Sequence, residues 1–401
     1  MTFKKSKIPS MLLLILSALG ILFGAGIVGL TLAGAYFLPV DKGSTSEVLS
    51  IATTSLLSFL VCILNLPTFI SSIRKLKQKP SPHPLPPLFQ KANYLIILWL
   101  LLISIGYFIS QGNNATFFLV PLTIAAVSIP VWWLIECARR GLPRSTKLRE
   151  WGTLTIGLTI TPIIIILIEM ILVALMVLVV MIGLGFQHDL NNQILPILGN
   201  LNLYQGGIAE LEQILFDLMQ NPVIAIGIFL TIGMLVPLIE EIFKPMAVWF
   251  LLKHPLREYE GFSLGLISGG AFALLESAGM VIQMNAEDWL TAVALRAATG
   301  VLHIGLSGLV GYGLTRSWNQ KRYGKGIMYI FSAALLHGGW NSLALLSGLS
   351  STLTQNGPGF EVSGVISIVI LGCMIAIFLG IITITLRINA RLRREPNTQT
   401  I

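Results

Sequence analysis

Charged side chains are scarce in this sequence. Only 11% of its 401 residues are Asp, Glu, Lys or Arg, whereas a soluble domain carries about a quarter. Hydrophobic residues make up 54% of the chain and the mean hydropathy is +0.82. This composition excludes an ordinary soluble domain. Because apolar runs long enough to cross a bilayer, about 20 residues each, recur along the chain, we predict a polytopic membrane protein.

Cysteine is also scarce. The three residues Cys62, Cys137 and Cys373 all lie in apolar runs and show no metal-ligand spacing, which argues against a disulfide framework or a cysteine zinc site. The formal net charge of +8 does not indicate a nucleic-acid partner, since membrane proteins concentrate Lys and Arg in their cytoplasmic loops. The expected surroundings of the chain are therefore the lipid bilayer, with no nucleic acid.

We predict an all-α bundle of ten membrane spans. If the N-terminus is cytoplasmic, nearly all of the 26 Lys and Arg residues fall on the cytoplasmic side, and Lys42 is the exception in an outer loop. This distribution predicts that both termini are cytoplasmic. The predicted spans are 11–38, 48–73, 93–110, 116–137, 152–185, 222–252, 261–284, 289–314, 326–347 and 364–386.

The spans group into four predicted segments. Residues 1–150 hold four N-terminal spans and a proline-rich cytoplasmic linker at 80–87. Residues 151–221 hold a long fifth span and an external loop, in which acidic and apolar residues alternate as in a short amphipathic helix. A four-span core follows at 222–349, and residues 350–401 hold the last span and a basic tail. The first apolar run is too long for a typical signal peptide, which favours a retained first helix.

Ionisable residues inside the spans are the main clue to function. A charged side chain at the centre of a membrane helix costs about 2.5–3.5 kcal/mol even on lenient scales. Apart from Glu169, every such residue lies in the four spans of 222–347. These residues are Glu240, Glu241, Lys244, Glu276, Arg296, His303 and His337.

Spacing and depth predict that these side chains converge. Glu240, His303 and His337 lie at similar distances from the inner ends of their spans. Within the spans, Glu240 and Lys244 are four residues apart, as are His337 and Asn341, so each pair shares a helix face. We therefore predict one polar pocket near the middle of the membrane.

The prolines support a pocket at this place. Pro237 and Pro245 cannot donate to the carbonyls of Gly233 and Glu241. Backbone carbonyls without a helical donor are tolerated inside a membrane only where they face protein or a wet cavity. The segment "PLIEEIFKPM" is thus expected to line a polar cavity.

Several functions would use such a pocket. Two adjacent carboxylates can activate a water molecule and protonate a leaving amine, while imidazoles and Asn341 would stabilise an oxyanion.

Zinc could also be bound, although no H-E-x-x-H motif occurs. A proton-coupled transporter uses buried carboxylates as well, but no second helix mirrors "EEIFK". Interhelical hydrogen bonding without catalysis is the third possibility. The residues alone leave hydrolase, transporter and structural network open.

Four motifs in order, "EEIFK", "FALLE", "RAATGVLH" and "HGGWN", resemble the PrsW family of intramembrane proteases. The lysine of the first motif and the glutamate that ends the second favour this branch over the relatives that process prenylated proteins and bacteriocins. The resemblance covers about residues 222–349. It implies an intramembrane peptidase, and the alternative on the same fold is a non-catalytic membrane scaffold.

The resemblance also implies site residues and substrates. It assigns catalytic roles to Glu240, Glu241, Glu276, His303 and His337, with Lys244, Arg296 and Asn341 in support. It implies a membrane-anchored protein substrate, such as an anti-sigma factor, and leaves the oligomeric state unknown. The family is classed both as metallo-type and as glutamate-type. Lys244 and Asn341 favour a reaction without a cofactor, and Glu241, His303 and His337 are the expected ligands if zinc is present.

Overall fold

A computed structural model describes residues 7–37, 45–79, 93–111, 116–183, 221–254, 256–281, 289–356 and 360–394. The regular secondary structure of these residues is entirely helical. The predicted linker at 80–87 lies outside the described residues, as does the loop at 186–221 apart from its last residue. The helices are α1 Ile8–Phe37, α2 Thr45–Leu76, α3 Asn93–Ser110, α4 Thr116–Ala138, α5 Lys147–Leu158, α6 Ile160–Gly183, α7 Pro222–Leu230, α8 Val236–Phe243, α9 Met246–Leu251, α10 Glu258–Val281, α11 Trp289–Asn319, α12 Tyr323–Asn356 and α13 Phe360–Arg394.

The all-α, multi-pass architecture is confirmed. Among the described residues, seven helical segments are long and apolar enough to cross a membrane. The other three predicted spans fall on α3, α10 and α12, while the cytoplasmic placement of the termini stays a prediction. The seven segments are Ile8–Tyr36, Ser50–Leu76, Phe118–Ala138, Lys147–Val179, Pro222–Leu251, Trp289–Asn319 and Gly364–Arg394.

The chain forms two compact units. Unit 1 comprises residues 1–163, 244–329 and 381–401, and unit 2 comprises residues 164–243 and 330–380. Helices α1–α5 and α9–α11 therefore lie in unit 1. Unit 2 contains α7 and α8 and most of α6, α12 and α13. Each unit carries one cluster of the predicted site residues.

Close packing of α10 on α11 organises unit 1. Gly261, Gly265 and Gly269 recur at four-residue spacing on α10. A Cβ atom at Gly265 would lie 2.3 Å from the carbonyl oxygen of Ser307, and one at Gly269 would lie 2.3 Å from that of His303. Only glycine permits this approach of the two backbones. The contact fixes the register between α10 and the turn of α11 that carries His303.

Ion pairs join the N-terminal helices of unit 1 to α10. Arg139, at the end of α4, lies 3.2 Å from Glu150 on α5. Arg149 of α5 lies 2.8 Å from Glu260, in the first turn of α10, and the Ser145 hydroxyl donates to the same carboxylate at 2.9 Å. Helices α4 and α5 therefore support α10, which carries part of the candidate site.

The run from α7 to α9 in the sequence is not one regular helix. It starts at Asn221, whose side chain caps the first turn by accepting from the Val223 amide at 3.0 Å. Residues Thr231–Leu235 form a π turn, in which the Val236 amide donates to the Thr231 carbonyl five residues back. The helix then stops at Phe243 and resumes at Met246.

The interruptions occur beside prolines, as the sequence predicts. Pro237 is the second residue of α8, directly after the π turn. Pro245 occupies the turn between α8 and α9. A third break, at Thr159 between α5 and α6, precedes Pro162 by three residues. Irregular backbone is expected at these places, since proline removes a backbone donor from the helical ladder.

Candidate active site

The two glutamates of "EEIFK" lie on α8, within unit 2. Glu241 is completely buried and Glu240 is 8% exposed. Carboxylates buried in this way require polar partners, because an unpaired buried charge is strongly disfavoured. A histidine on α12 provides such a partner.

His337 contacts both glutamates. Its Nδ1 lies 3.0 Å from Oε1 of Glu241, and its Nε2 lies 3.8 Å from Oε2 of Glu240. Because an ionised carboxylate only accepts hydrogen bonds, Nδ1–H of His337 would be the donor in this contact when Glu241 is ionised. In a neutral ring with its proton on Nδ1, Nε2 carries a lone pair and is the ring nitrogen nearer to Glu240. We call Glu240, Glu241 and His337 the His337 cluster.

Close contact between α12 and the π turn holds this cluster in place. A Cβ atom at Gly338 would lie only 1.8 Å from the carbonyl oxygen of Gly233, the carbonyl to which Pro237 cannot donate. The amide of Asn341 donates to the Ile232 carbonyl at 3.4 Å. The glycine after His337 therefore lets α12 approach the irregular backbone directly before α8.

A second cluster lies within unit 1 and is centred on His303 of α11. The Nζ of Lys244 lies 2.7 Å from Nδ1 of His303, and Nε2 of His303 lies 2.5 Å from Oε2 of Glu276. The other oxygen of Glu276 lies 3.1 Å from Nη2 of Arg296. Lys244 and His303 are almost completely buried, whereas the Glu276 side chain is 35% exposed. We call these four residues the His303 cluster.

The break after α8 determines where Lys244 points. Lys244 lies in the turn between α8 and α9, and the hydroxyl of Ser268 on α10 donates to its backbone carbonyl. Its Nζ lies 4.6 Å from the centre of the Phe272 ring, and the same ring packs edge-on against His303, with 5.3 Å between ring centroids. Lys244 is therefore held by its backbone as well as by its amine.

The structure groups the predicted site residues within each unit. Glu240, Glu241 and His337 come together, and so do Lys244, Glu276, Arg296 and His303. That all of them share one pocket stays a prediction. Asn341, expected to serve an oxyanion, donates to a backbone carbonyl.

Sequence reasoning missed three supporting residues. Ser268 holds the Lys244 carbonyl, Ser277 accepts from Nε of Arg296 at 3.4 Å, and Gly269 admits the His303 backbone. The four-residue spacing of glycines in "GFSLGLISGG" was a usable signal for close helix packing. A serine inside an apolar helix gives no comparable signal, because it most often bonds to a carbonyl of its own helix.

Comparison with known proteins identifies one similar family. The profile of a family described as PrsW family intramembrane metalloprotease matches residues 198–385, which include both clusters. No curated protein and no solved structure matches the chain. The match supports an intramembrane peptidase acting on a protein substrate in the membrane, and it makes zinc a plausible cofactor. Residues 198–385 of this multi-pass membrane protein are thus similar to the PrsW family of intramembrane metalloproteases.

Proposed function

We propose that the chain hydrolyses peptide bonds of membrane-anchored proteins, using water activated by Glu240. The observation that carries the proposal is the His337 cluster, in which two buried glutamates adjoin one buried histidine. Such a group can exchange protons with a bound water while the surrounding helices exclude bulk solvent. The PrsW family match supports the peptide bond as the target.

The three residues of the cluster take different roles. Glu241 accepts from the Nδ1–H of His337 and so fixes the orientation of that ring. Glu240 takes a proton from water, and the water oxygen attacks the carbonyl carbon of the scissile bond. When the carbon–nitrogen bond breaks, Glu240 returns the proton to the leaving amine. The carboxyl product retains the water oxygen, so atoms and charges balance.

The His303 cluster is proposed to support the same reaction electrostatically. It combines the cations Lys244 and Arg296 with the single carboxylate of Glu276, so it carries one net positive charge when His303 is neutral. A positive charge favours the oxyanion that develops during attack on an amide. The resemblance to the PrsW family supports this assignment, since it gives Glu276 and His303 catalytic roles.

The substrates proposed are single-span regulators of the anti-sigma-factor kind. The resemblance to the PrsW family carries this part of the proposal. The glutamates lie in a segment, Pro222–Leu251, that is apolar enough to cross a membrane, which favours substrates with their own transmembrane segment over soluble proteins.

Zinc fits the residues present. The family description names a metalloprotease, and imidazole nitrogen and carboxylate oxygen are both common zinc ligands. Within unit 2, Glu240 and Nε2 of His337 would hold the ion, while Glu241 would keep its contact with Nδ1 of His337. Zinc, when bound, polarises a peptide carbonyl as a Lewis acid.

The proposal is tested by co-expression with candidate single-span substrates and by cleavage in proteoliposomes containing purified protein. In water enriched in oxygen-18, we expect the new C-terminus to gain one labelled oxygen. The double variant Glu240→Gln plus Glu241→Gln should give no product while reaching a normal level in the membrane. A folded wild-type protein that cleaves none of the substrates, or a double variant that cleaves as well as wild type, would contradict the proposal.

We expect catalysis to persist without a metal ion. Both ring nitrogens of His303 are already engaged by Lys244 and Glu276, so the ligand set Glu241, His303 and His337 would require a contact to be displaced. A catalytic zinc site needs three protein ligands. Purified protein should therefore keep its cleavage rate after prolonged treatment with a membrane-permeant chelator. Loss of cleavage that returns with one zinc per chain, measured by elemental analysis, would assign the metallo-type reaction instead.

A further inference from the structure

Lys244 is an unusual partner for His303. Its side chain is completely buried, although lysine is among the residues least often found fully buried. Its Nζ lies 2.7 Å from the Nδ1 of His303. With Lys244 protonated, its amine offers three donors and no acceptor, so Lys244 would donate and Nδ1 of His303 would accept.

This contact determines the tautomer of His303. Because Nδ1 accepts, the proton of the neutral ring is on Nε2, from which it donates to Oε2 of Glu276 at 2.5 Å. Glu276 is correspondingly an ionised acceptor, since its other oxygen pairs with Arg296 at 3.1 Å. His337 has the opposite pattern, with its Nδ1–H donated to Glu241. With these assignments, the two site histidines would have opposite tautomers.

Several further contacts make the arrangement specific to Lys244. The Ser268 hydroxyl anchors its backbone carbonyl, and the Phe272 ring lies against both its amine and the imidazole of His303. Lys244 lies in the turn between α8 and α9, so the position of its amine beside His303 depends on the break in the helix. Its effect is to present a fixed imidazole, with the N–H on Nε2, to Glu276.

We propose that Lys244 is a positioning residue of the peptidase reaction, which holds His303 in the Nε2–H tautomer and thereby directs Glu276. The inference rests on the proposed function for its catalytic consequence, whereas the tautomer is a property of the folded protein. A lysine that only filled space or balanced charge would leave the tautomer unaffected. Partners that orient a metal-bound histidine through its other nitrogen affect activity about 10–100-fold when removed, and we expect a loss of the same order for Lys244.

The tautomer is tested by nitrogen-15 NMR of purified full-length protein labelled at histidine. The protein has five histidines, and His303→Asn identifies the signals of His303 by their disappearance. We expect the nitrogen shifts of a neutral ring with the proton on Nε2, and we expect Lys244→Met to abolish that pattern at His303 while leaving His337 unchanged. An Nδ1–H tautomer in wild-type protein, or an unchanged His303 spectrum in Lys244→Met, would overturn the proposal.

Kinetics test the catalytic consequence separately. Lys244→Met should lower kcat about 10–100-fold with little change in KM, and Lys244→Arg should recover part of the loss because it restores a cationic donor. Ser268→Ala is the comparator, since it loosens the backbone of Lys244 without removing the amine. The positioning role predicts that Lys244→Met lowers the melting temperature no more than Ser268→Ala does, yet lowers kcat far more. Equal losses of kcat in the two variants would refute it. Wild-type protein that cleaves nothing contradicts the proposed function, while the NMR result still decides the tautomer.

Discussion

Replacing Glu240 by glutamine is expected to reduce kcat for peptide cleavage by about 10²–10⁴-fold, the usual contribution of a general acid–base group. Glutamine keeps the shape of the side chain but cannot take a proton from water. Glu241→Gln should cost less, about 10–100-fold, because its amide oxygen can still accept from the Nδ1–H of His337. The measurement is the initial cleavage rate of one single-span substrate at saturating concentration.

The matched control for these variants is Glu169→Gln. Glu169 is also a glutamate within a predicted span and within unit 2, but the proposal gives it no role, so its kcat should equal that of wild type. A larger loss of kcat from Glu241→Gln than from Glu240→Gln would indicate that Glu241 is the base and Glu240 the orienting group. Lower abundance with unchanged specific activity would indicate a structural hydrogen-bond network, whose members contribute about 0.6–2 kcal/mol each.

Gly338→Ala is expected to reduce both stability and activity. The added Cβ would lie 1.8 Å from the Gly233 carbonyl oxygen, and a backbone atom cannot move aside as a flexible side chain can. Such overpacking costs about 1–3 kcal/mol. Because His337 is the preceding residue, displacement of α12 would also lengthen its 3.0 Å contact with Glu241.

Gly339→Ala provides the neighbouring control. A Cβ at Gly339 would meet only the Cδ1 of Ile377, at 3.6 Å, which is ordinary van der Waals contact. Its melting temperature in detergent should match or exceed that of wild type, since alanine is the better helix former by about 1 kcal/mol. The melting temperature and the cleavage rate of both variants are measured together. Equal behaviour of the two alanine variants would show that close approach at Gly338 is not required.

Sequence patterns predicted the components of the site better than their arrangement. The polar residues of 222–347 stood out because lipid excludes such groups, and the irregular backbone beside Pro237 and Pro245 agrees with the missing proline donors. The position of Lys244 was harder to predict. The four-residue rule assumed a continuous helix, but the turn at residues 244–245 ends it, and the lysine amine contacts His303.

The role of Asn341 could not be predicted from the sequence for a related reason. Its spacing from His337 suggested a donor to substrate, whereas in the structure it donates to the Ile232 carbonyl within the π turn. No hydrophobic pattern distinguishes five residues of π helix from five of α helix, since both are apolar at this point. Their difference lies in the hydrogen-bond ladder, which depends on contacts made by α12 far along the chain.

The π turn at Thr231–Leu235 has a consequence for how this site tolerates insertions and deletions. One residue more than a regular helix needs is absorbed there, and each residue of an α-helix advances the direction of its side chains by about 100°. If the same residues were wound as a regular α-helix, Glu240 and Glu241 would turn together by about 100° away from His337, without any change in the three side chains. The direction of the glutamate pair therefore depends on the π turn holding the extra residue. A one-residue deletion within "TIGML" that restores a regular helix would keep the pair facing His337, whereas a one-residue deletion between the π turn and Glu240 would turn the pair away.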